Sequence, residues 1–246
     1  MGDFPGDGHD WLTVHRVRLK AARDIKANPY PAPENAACWR FYPDSQLNET
    51  GERLPISDIW GGFAIHPSRV AAEAAFAAGD AALSHLGECV ESWHALAVPV
   101  RHHGTTNWHG ALVEDATFRA AAVDPGGPLL VITSAGFVTT GPDDMPRIAE
   151  FRRRVEEVRA DCASRPENLR VAVFNGGMVD GGDGMTVSIW RDMPGMMTAA
   201  YKPGTHRGHL EAHKQKPQFD RSSFSRFRIL ASSGSWDGSN PVAGIG

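Results

Sequence analysis

Three histidines lie close together near the carboxyl end of the chain, at His206, His209 and His213. Spacings of three and four residues would place them near one face of a helix. Imidazole is a common metal ligand, and a single imidazole can be the axial ligand of haem iron. The other interpretation is a solvated helix whose histidines have no chemical role. The spacing alone leaves both interpretations open.

The surroundings of these histidines favour haem over zinc. The chain contains no HExxH sequence, and Glu211 is the only carboxylate at an obvious ligand spacing. Tyr201, followed by Pro203 and Gly204, predicts a kinked start to the helix. A soft apolar wall of methionines precedes it, at Met193, Met196 and Met197. We therefore expect a haem site rather than a zinc site.

Other motifs carry weaker signals for chemistry. His102 and His103 fall after a predicted strand, with Trp108 and His109 further on, and favour a loop or interface role over a metal site. The glycine-rich segment 175–184 does not match GxGxxG, which favours a turn, or a mobile lid, over a dinucleotide site. No Ser-His-Asp or Cys-His order stands out, so we do not expect covalent catalysis.

Charge and composition exclude several classes of protein. The formal net charge is -4, whereas proteins that bind nucleic acids normally carry a basic surplus. No apolar run approaches the ~20 residues that span a bilayer, and the amino terminus lacks the pattern of a signal peptide. Cys38, Cys89 and Cys162 form no CxxC pair, which favours free thiols in a reducing compartment. We expect a soluble cytoplasmic protein that binds neither nucleic acid nor membrane.

Hydrophobic periodicity predicts the elements that position these residues. The predicted strands are 11–19, 37–42, 59–65, 92–101, 128–138, 169–174, 186–190 and 224–231. Predicted helices cover 69–78, with Ser68 as the cap, then about 143–162, and about 195–201 with a continuation after Pro203.

The last third of the chain resembles its middle. Trp93–Val100 corresponds to Phe224–Leu230, and each is preceded by a similar apolar segment, Gly61–His66 or Met185–Trp190. The second half has the element order βαββαβ of the ferredoxin-like unit, and the first half follows it with a loop or short helix in place of the first helix. The sequence thus predicts an α+β fold of two ferredoxin-like repeats, packed as a dimeric α+β barrel within one chain. Residues 1–120 would form a degenerate repeat with a proline-rich segment in place of its first helix, and residues 121–246 the repeat with the haem site.

Several motifs occur in the same order as in a known family. They are Glu91–Leu96, Thr186–Asp192, Ala200–Arg207, Phe224–Leu230 and Gly234–Gly238. Together they resemble the spheroidene monooxygenase family over residues 57–110 and 128–242. This resemblance implies a haem-dependent oxygenase of the carotenoid type, in which His206 is the axial ligand and the metal-binding residue. His209 and His213 instead resemble the helix histidines of haem-binding antibiotic-biosynthesis monooxygenase domains, so either could be the ligand.

Polar residues of the second half are candidates for the remaining roles. Thr186, Ser188 and Arg226 are the candidate catalytic residues, with Thr133 as a further distal candidate. Strand parity places Thr186 and Ser188 on one face, and Val187 and Ile189 on the other. Tyr201 is a candidate cofactor-binding residue, and Arg191, at a strand end, could pair with a haem propionate.

The resemblance and the residues together predict an oxidoreductase that uses haem b as a monooxygenase does. Its partners would be a small or medium apolar metabolite of specialised metabolism and an electron donor, and exposed sheet edges leave a homodimer open. The same barrel hosts aldoxime dehydratases, chlorite dismutases and dye-decolourising peroxidases, so a haem lyase acting on an N–O substrate is an alternative. A non-enzymatic haem carrier and a cofactor-free monooxygenase are the others.

Overall fold

A computed structural model describes residues 8–26, 36–49, 52–108, 111–113, 119–175, 183–202 and 205–245. Its strands are β1 Trp11–Asp24, β2 Cys38–Pro43, β3 Ile56–His66, β4 Cys89–Gly104, β5 Thr106–Trp108, β6 Ala111–Val113, β7 Leu129–Gly136, β8 Asn168–Phe174, β9 Gly184–Trp190 and β10 Arg221–Gly234. Its helices are α1 Arg69–Ala78, α2 Asp80–Leu83, α3 Met145–Ala163, α4 Met193–Tyr201 and α5 Thr205–Gln215. Single 3₁₀ turns cover Ser84–Leu86 and Pro142–Asp144. Every predicted strand and helix is present.

One large antiparallel sheet organises the molecule. Its eight strands lie in the order β2-β3-β1-β4-β10-β7-β9-β8, with β4 and β10 joining the two halves of the chain. The edge strands meet at the bridge between Asp44 and Phe174, where Ser45 N donates to Val173 O at 2.7 Å. The sheet therefore curls until its two edges make contact, as in a barrel.

Alternation along the strands separates an interior from an outer face. The interior core contains residues of both halves of the chain. They include Leu12, Val14, Phe63 and Trp93 of the first half and Leu130, Ile132, Val187, Ile189 and Phe227 of the second. The intervening residues face outward and are covered by helices. This alternation is the physical origin of the mixed α+β architecture, because a sheet with two apolar faces must be covered on both.

Helix α1 has the bounds that its sequence predicts. The side chain of Ser68 accepts a hydrogen bond from the backbone N–H of Ala71 and caps the first turn. Ala72 and Phe76 then pack against outward residues of the first half, Trp11 and Leu96 among them. A local cap and a local apolar stripe are enough to define this element.

The structure differs from the sequence prediction in a few places, and two predicted segments lie outside the described residues. His102 and His103 lie within strand β4, not in a loop, because that strand runs on to Gly104. The short helix α2 and the strands β5 and β6 were not predicted, since elements of three or four residues show too little periodicity. The proline-rich segment 28–33 and most of the glycine-rich segment, residues 176–182, lie outside the described part of the chain.

Cys38, Cys89 and Cys162 are free thiols. Burial raises the pKa of Cys38 to about 12 and that of Cys162 to about 11.

No helix in the described ranges has the length and apolar character needed to cross a membrane.

Candidate active site

A cavity lies between the outer face of the second half of the sheet and helices α3, α4 and α5. Its volume is about 590 Å³, within the range of small-molecule sites. The helix side is formed mostly by apolar and aromatic residues, including Ile148, Phe151, Val155, Val158 and Tyr201. A pocket of this size and lining could hold a flat or elongated apolar ligand.

The floor of the cavity includes one transverse row of residues on five neighbouring strands. Strand pairing places Val173 opposite Thr186, Thr186 opposite Thr133, Thr133 opposite Phe224, and Phe224 opposite His103. All five line the cavity. The row brings two hydroxyls to the centre of the floor, and it brings His103 in from the first half of the chain.

His209 is the only one of the three predicted ligand histidines whose side chain is described as lining the cavity. Its Nε2 lies 3.0 Å from Glu157 Oε2 of helix α3, although the contact lacks hydrogen-bond geometry. The Nε2 atom is thus buried without a hydrogen-bond partner in the described residues. An imidazole held beside a carboxylate in an apolar pocket is a suitable ligand for a metal centre.

The other two predicted histidines differ from His209. His213 stacks on Phe219 with ring centroids 3.8 Å apart, and its Nδ1 accepts from the backbone N–H of Gln218 at 3.1 Å. Burial lowers the pKa of His213. His206 belongs to helix α5, but its side chain lies outside the described part of the structure. The structure therefore brings His209 to the cavity and gives His213 a packing role.

The predicted catalytic residues differ in whether they reach the cavity. Thr186 lines the cavity. Ser188 is buried and accepts a hydrogen bond from the Trp190 indole N–H at 2.9 Å, so it does not reach the cavity lining. Arg226 is half-buried, and one of its guanidinium nitrogens lies 3.5 Å from the Tyr201 hydroxyl.

Tyr201 and Arg191, the predicted cofactor-binding residues other than the histidines, differ in their position relative to the cavity. Tyr201 is half exposed and lines the cavity. Arg191 is exposed at the end of β9, is absent from the cavity lining, and its backbone N–H donates to Glu167 O. Only Tyr201 of this pair therefore reaches the cavity.

A buried carboxylate that the sequence analysis missed supports one end of the cavity. Asp183 forms an ion pair with Arg221 at 2.6 Å and accepts from the Thr106 hydroxyl at 3.0 Å. Gly136, which lines the cavity, packs so closely that a Cβ there would lie 1.7 Å from Asp183 Oδ1. Only glycine fits at that position, so Asp183 ties β5, β7 and β10 together at the cavity end.

Ionisable residues of helix α3 face the same space. Arg152 and Glu156 both line the cavity and stand one helical turn apart, on one face. Burial lowers the pKa of Arg152 and raises the pKa of Glu156. The charge of Arg159 lowers the pKa of Glu156, and the charge of Asp44 raises it. These charges sit in a poorly solvated wall.

The donor set fits haem better than a bare metal ion. No group of three or more His, Cys, Asp or Glu that could hold a metal ion occurs among the described residues. Haem needs only one axial ligand from the protein, since the macrocycle supplies the other four. One imidazole, an apolar wall and a floor with few hydroxyls meet that requirement.

The chain is similar to several solved structures. An aldoxime dehydratase in complex with butyraldoxime is 8% identical, with a TM-score of 0.55, and the match covers 93% of this chain and 82% of that one. A protein named a monooxygenase from Fusobacterium nucleatum subsp. nucleatum is 9% identical, with a TM-score of 0.39 and coverage of 95% and 99%. SnoaB, a cofactor-independent oxygenase from Streptomyces nogalater, is 18% identical, with a TM-score of 0.32, over 43% of this chain and 94% of that chain.

No family model and no curated protein sequence matches the chain. At 8% identity the aldoxime dehydratase shows the fold alone, a mixed α+β architecture with a large antiparallel sheet. The resemblance to the spheroidene monooxygenase family stays a prediction from short motifs.

Proposed function

We propose that this protein is a haem-dependent oxidoreductase that acts, as a monooxygenase does, on a small or medium apolar metabolite. The observation that carries the proposal is the cavity between the outer face of the sheet and helices α3 to α5, with His209 reaching it from the helix side. Haem b, when bound, would supply the iron chemistry of oxygen activation.

The chain's own residues would bind and orient. Among the described side chains His209 would hold the haem iron, and His206 stays a candidate on the same helix. Glu157, 3.0 Å from His209, would orient the imidazole and raise its basicity. Tyr201 and the apolar residues of α3 would enclose the macrocycle and exclude water.

The floor would provide the polar groups on the opposite side. Thr186 and Thr133 face each other across β9 and β7, and each hydroxyl can donate one hydrogen bond. Few, well-placed donors in an apolar pocket would orient a substrate without filling the site with water. Ser188 would support this floor indirectly, since it holds the indole of Trp190.

We infer that the two halves are copies of one ferredoxin-like unit, with the site in the second. In each half the fourth strand lies next to the first, then the third, then the second: β4-β1-β3-β2 and β10-β7-β9-β8. This order supports a repeat of residues 1–120 and a repeat of residues 121–246, which together close the barrel. A single chain would then need no partner to complete the fold, and a homodimer stays open.

The aldoxime dehydratase comparison keeps a lyase as the second candidate function. A dehydratase of this fold binds an N–O substrate and removes its hydroxyl with the help of an acid. Glu156, whose pKa burial raises, lines the same cavity and is the candidate acid. A lyase would turn over without net electrons, whereas a monooxygenase requires a donor.

An absorption titration with haemin tests the proposal. The wild type should give a Soret band at one haemin per chain, and the band should be lost or shifted in His209→Ala or in His206→Ala. His213→Ala should bind haemin, and His85→Gln, an exposed histidine of the first half, is the control. A wild-type spectrum equal to that of free haemin would overturn the haem proposal and favour the cofactor-free barrel.

The reaction class is tested on the haem-loaded protein. Consumption of oxygen that depends on a reduced electron donor would support the oxygenase. Conversion of butyraldoxime to the nitrile by the reduced protein, with no net electrons, would support the lyase instead. Tight haem binding with neither activity would favour a carrier.

A further inference from the structure

Two arginines face each other across the junction between the halves of the sheet. Strand pairing places Arg226 of β10 directly opposite Arg101 of β4. Directly opposed residues of an antiparallel pair project from the same face, with Cβ atoms about 5 Å apart. Like charges in this position destabilise a sheet unless something compensates them, so the pair needs a physical explanation.

No carboxylate compensates this pair in the described part of the chain. Neither Arg101 nor Arg226 takes part in an ion pair there, whereas the next outward arginine of β10, Arg228, binds Asp124 at 2.8 Å. The Nε atom of Arg226 is buried and has no hydrogen-bond acceptor among the described residues. A half-buried guanidinium with an unused donor is a site prepared for an anion.

The pair stands beside the cavity. The guanidinium of Arg226 lies over the Phe224 ring, 5.2 Å from its centroid, and 3.5 Å from the Tyr201 hydroxyl. Phe224 and Tyr201 both line the cavity, as does His103, two residues after Arg101 on the same strand. The two arginines do not line the cavity themselves, but they lie next to residues that do.

Arg152 is the other cation that could attract an acidic ligand. It lines the cavity on helix α3, and Glu156, one turn away on the same face, pairs with Arg159 at 3.4 Å. Arg152, like the junction arginines, has no ion pair with a carboxylate in the described part of the chain, so it is a rival site that the variants below separate. The junction places two guanidinium groups opposite each other where Arg152 stands alone, which favours Arg101 and Arg226 as the anion site.

We propose that Arg101 and Arg226 bind the carboxylate of an acidic, otherwise apolar ligand whose body occupies the cavity. The inference rests on the proposed function only in taking that cavity as a ligand site. The carboxylate could belong to a haem propionate or to the substrate, since both offer the same planar pair of oxygens to a guanidinium.

The test compares acids with their esters on the purified full-length chain. Haemin and haemin dimethyl ester probe the propionate, and decanoate and methyl decanoate probe a substrate carboxylate. A charge-assisted hydrogen bond contributes about 1.5–3 kcal/mol, so the acid should bind about 10- to 100-fold more tightly than its ester. Titration calorimetry measures all four dissociation constants.

Variants decide which residues carry the preference. Arg101→Gln and Arg226→Gln should each reduce the acid-over-ester ratio about tenfold, while ester binding stays unchanged. Arg226→Lys should retain part of the ratio, since it keeps the charge and loses the fork. Lys20→Gln, an exposed charge of the first half, and Arg152→Gln should leave the ratio intact. Thermal unfolding confirms that each variant is folded.

Each outcome has one meaning. If the acid-over-ester ratio falls in the junction variants for haemin alone, the site binds a haem propionate. If it falls for decanoate alone, the site binds a substrate carboxylate, even if the protein binds no haemin. Equal binding of acids and esters by the wild type would overturn the proposal. So would a ratio that survives in both junction variants and falls in Arg152→Gln.

Discussion

The outer faces of the two halves of the sheet have the same strand order but different contents. In the first half, Trp39, Phe41, Trp60 and Leu83 fill the space under α2 and the following turn, and His15, His66 and His94 are buried beside them. In the second half, the equivalent space under α3 to α5 contains the cavity. The difference shows that one topology can build a packed core or a binding site, depending on side-chain volume.

The polar groups of the two faces differ in their surroundings. His15 Nδ1 and His94 Nδ1 lie 2.8 Å apart, and His94 Nε2 lies 3.0 Å from Asp80, so these rings pair within a packed region. His66 Nε2 lies 3.0 Å from the Thr13 hydroxyl, while its Nδ1 is buried without a hydrogen-bond partner in the described residues. In the second half, Nε2 of His209 faces Glu157 at 3.0 Å, and Nε of Arg226 is buried without a partner in the described residues. An unpaired donor beside a cavity can be reached by a ligand, whereas one inside a packed core cannot.

Truncating one phenylalanine in each face should give the largest contrast in stability. Phe41 is 2% exposed and stacks on Trp39, with ring centroids 5.5 Å apart, whereas Phe151 is half-buried at the cavity wall. Phe41→Ala should lower the free energy of unfolding by about 3–5 kcal/mol. Phe151→Ala should lower it by about 1–2 kcal/mol, because that ring is not fully enclosed. Urea unfolding at neutral pH measures both, and equal losses would contradict the comparison.

Acid should weaken the first half through its buried histidines. Burial lowers the pKa of His15 to about 3 and that of His66 to about 4, below the value of about 6.5 in an unfolded chain. The unfolded state therefore binds more protons below pH 6.5, and stability is lost as the pH falls. Each histidine should contribute a loss of about 2 kcal/mol between pH 7 and pH 5.

The pH dependence is checked by urea unfolding across that range in the wild type and in His66→Gln. The variant should lose roughly half of the fall assigned to the two histidines, after normalisation to its own stability at pH 7. Identical slopes in the two proteins would show that His66 is not a source of the acid sensitivity.

Substitution of two neighbouring hydroxyl residues of β9 should give the smallest changes in stability. Ser188 should affect stability alone, whereas Thr186 should affect binding. Ser188→Ala removes the acceptor of the Trp190 indole N–H and should lower the free energy of unfolding by about 1 kcal/mol. Thr186→Val keeps the shape of the cavity floor and should change stability by less than about 1 kcal/mol, while altering haemin or ligand affinity. Unfolding and titration of both variants check this, and a binding change confined to Ser188→Ala would reverse the assignment.

Local patterns in the chain predicted most of the elements. Helix α1 runs from Arg69 to Ala78 as predicted, because its cap at Ser68 and its apolar residues lie within a few positions of one another. The matching segments Gly61–His66 and Met185–Trp190 occupy the third strand of each half, and Trp93–Val100 and Phe224–Leu230 occupy the fourth. The matching segments therefore lie on strands that hold the same place in the strand order of each half.

The candidate site was predicted only in part. Histidine spacing pointed to helix α5, and strand parity placed Thr186 and Ser188 on one face, which is the outer one. Neither signal could show that Ser188 stops short of the cavity while Thr186 lines it, because depth depends on how the helices pack over the sheet. The pair His102 and His103 was noted in the sequence but interpreted as a loop or interface feature, and nothing local to Asp183 marks it as part of the site.

By itself, the sequence determined the element types, the two-part order of strands and helices and the histidine-bearing helix, since periodicity, caps and spacing act over a few residues. The tertiary structure decided which residues meet. The pairing of β4 with β10 puts His102 within 2.7 Å of Ser225, 123 positions away, and it sets His103 in the cavity floor and Arg101 opposite Arg226. Strand register over such distances depends on the packing of the whole barrel, which no short segment of the chain encodes.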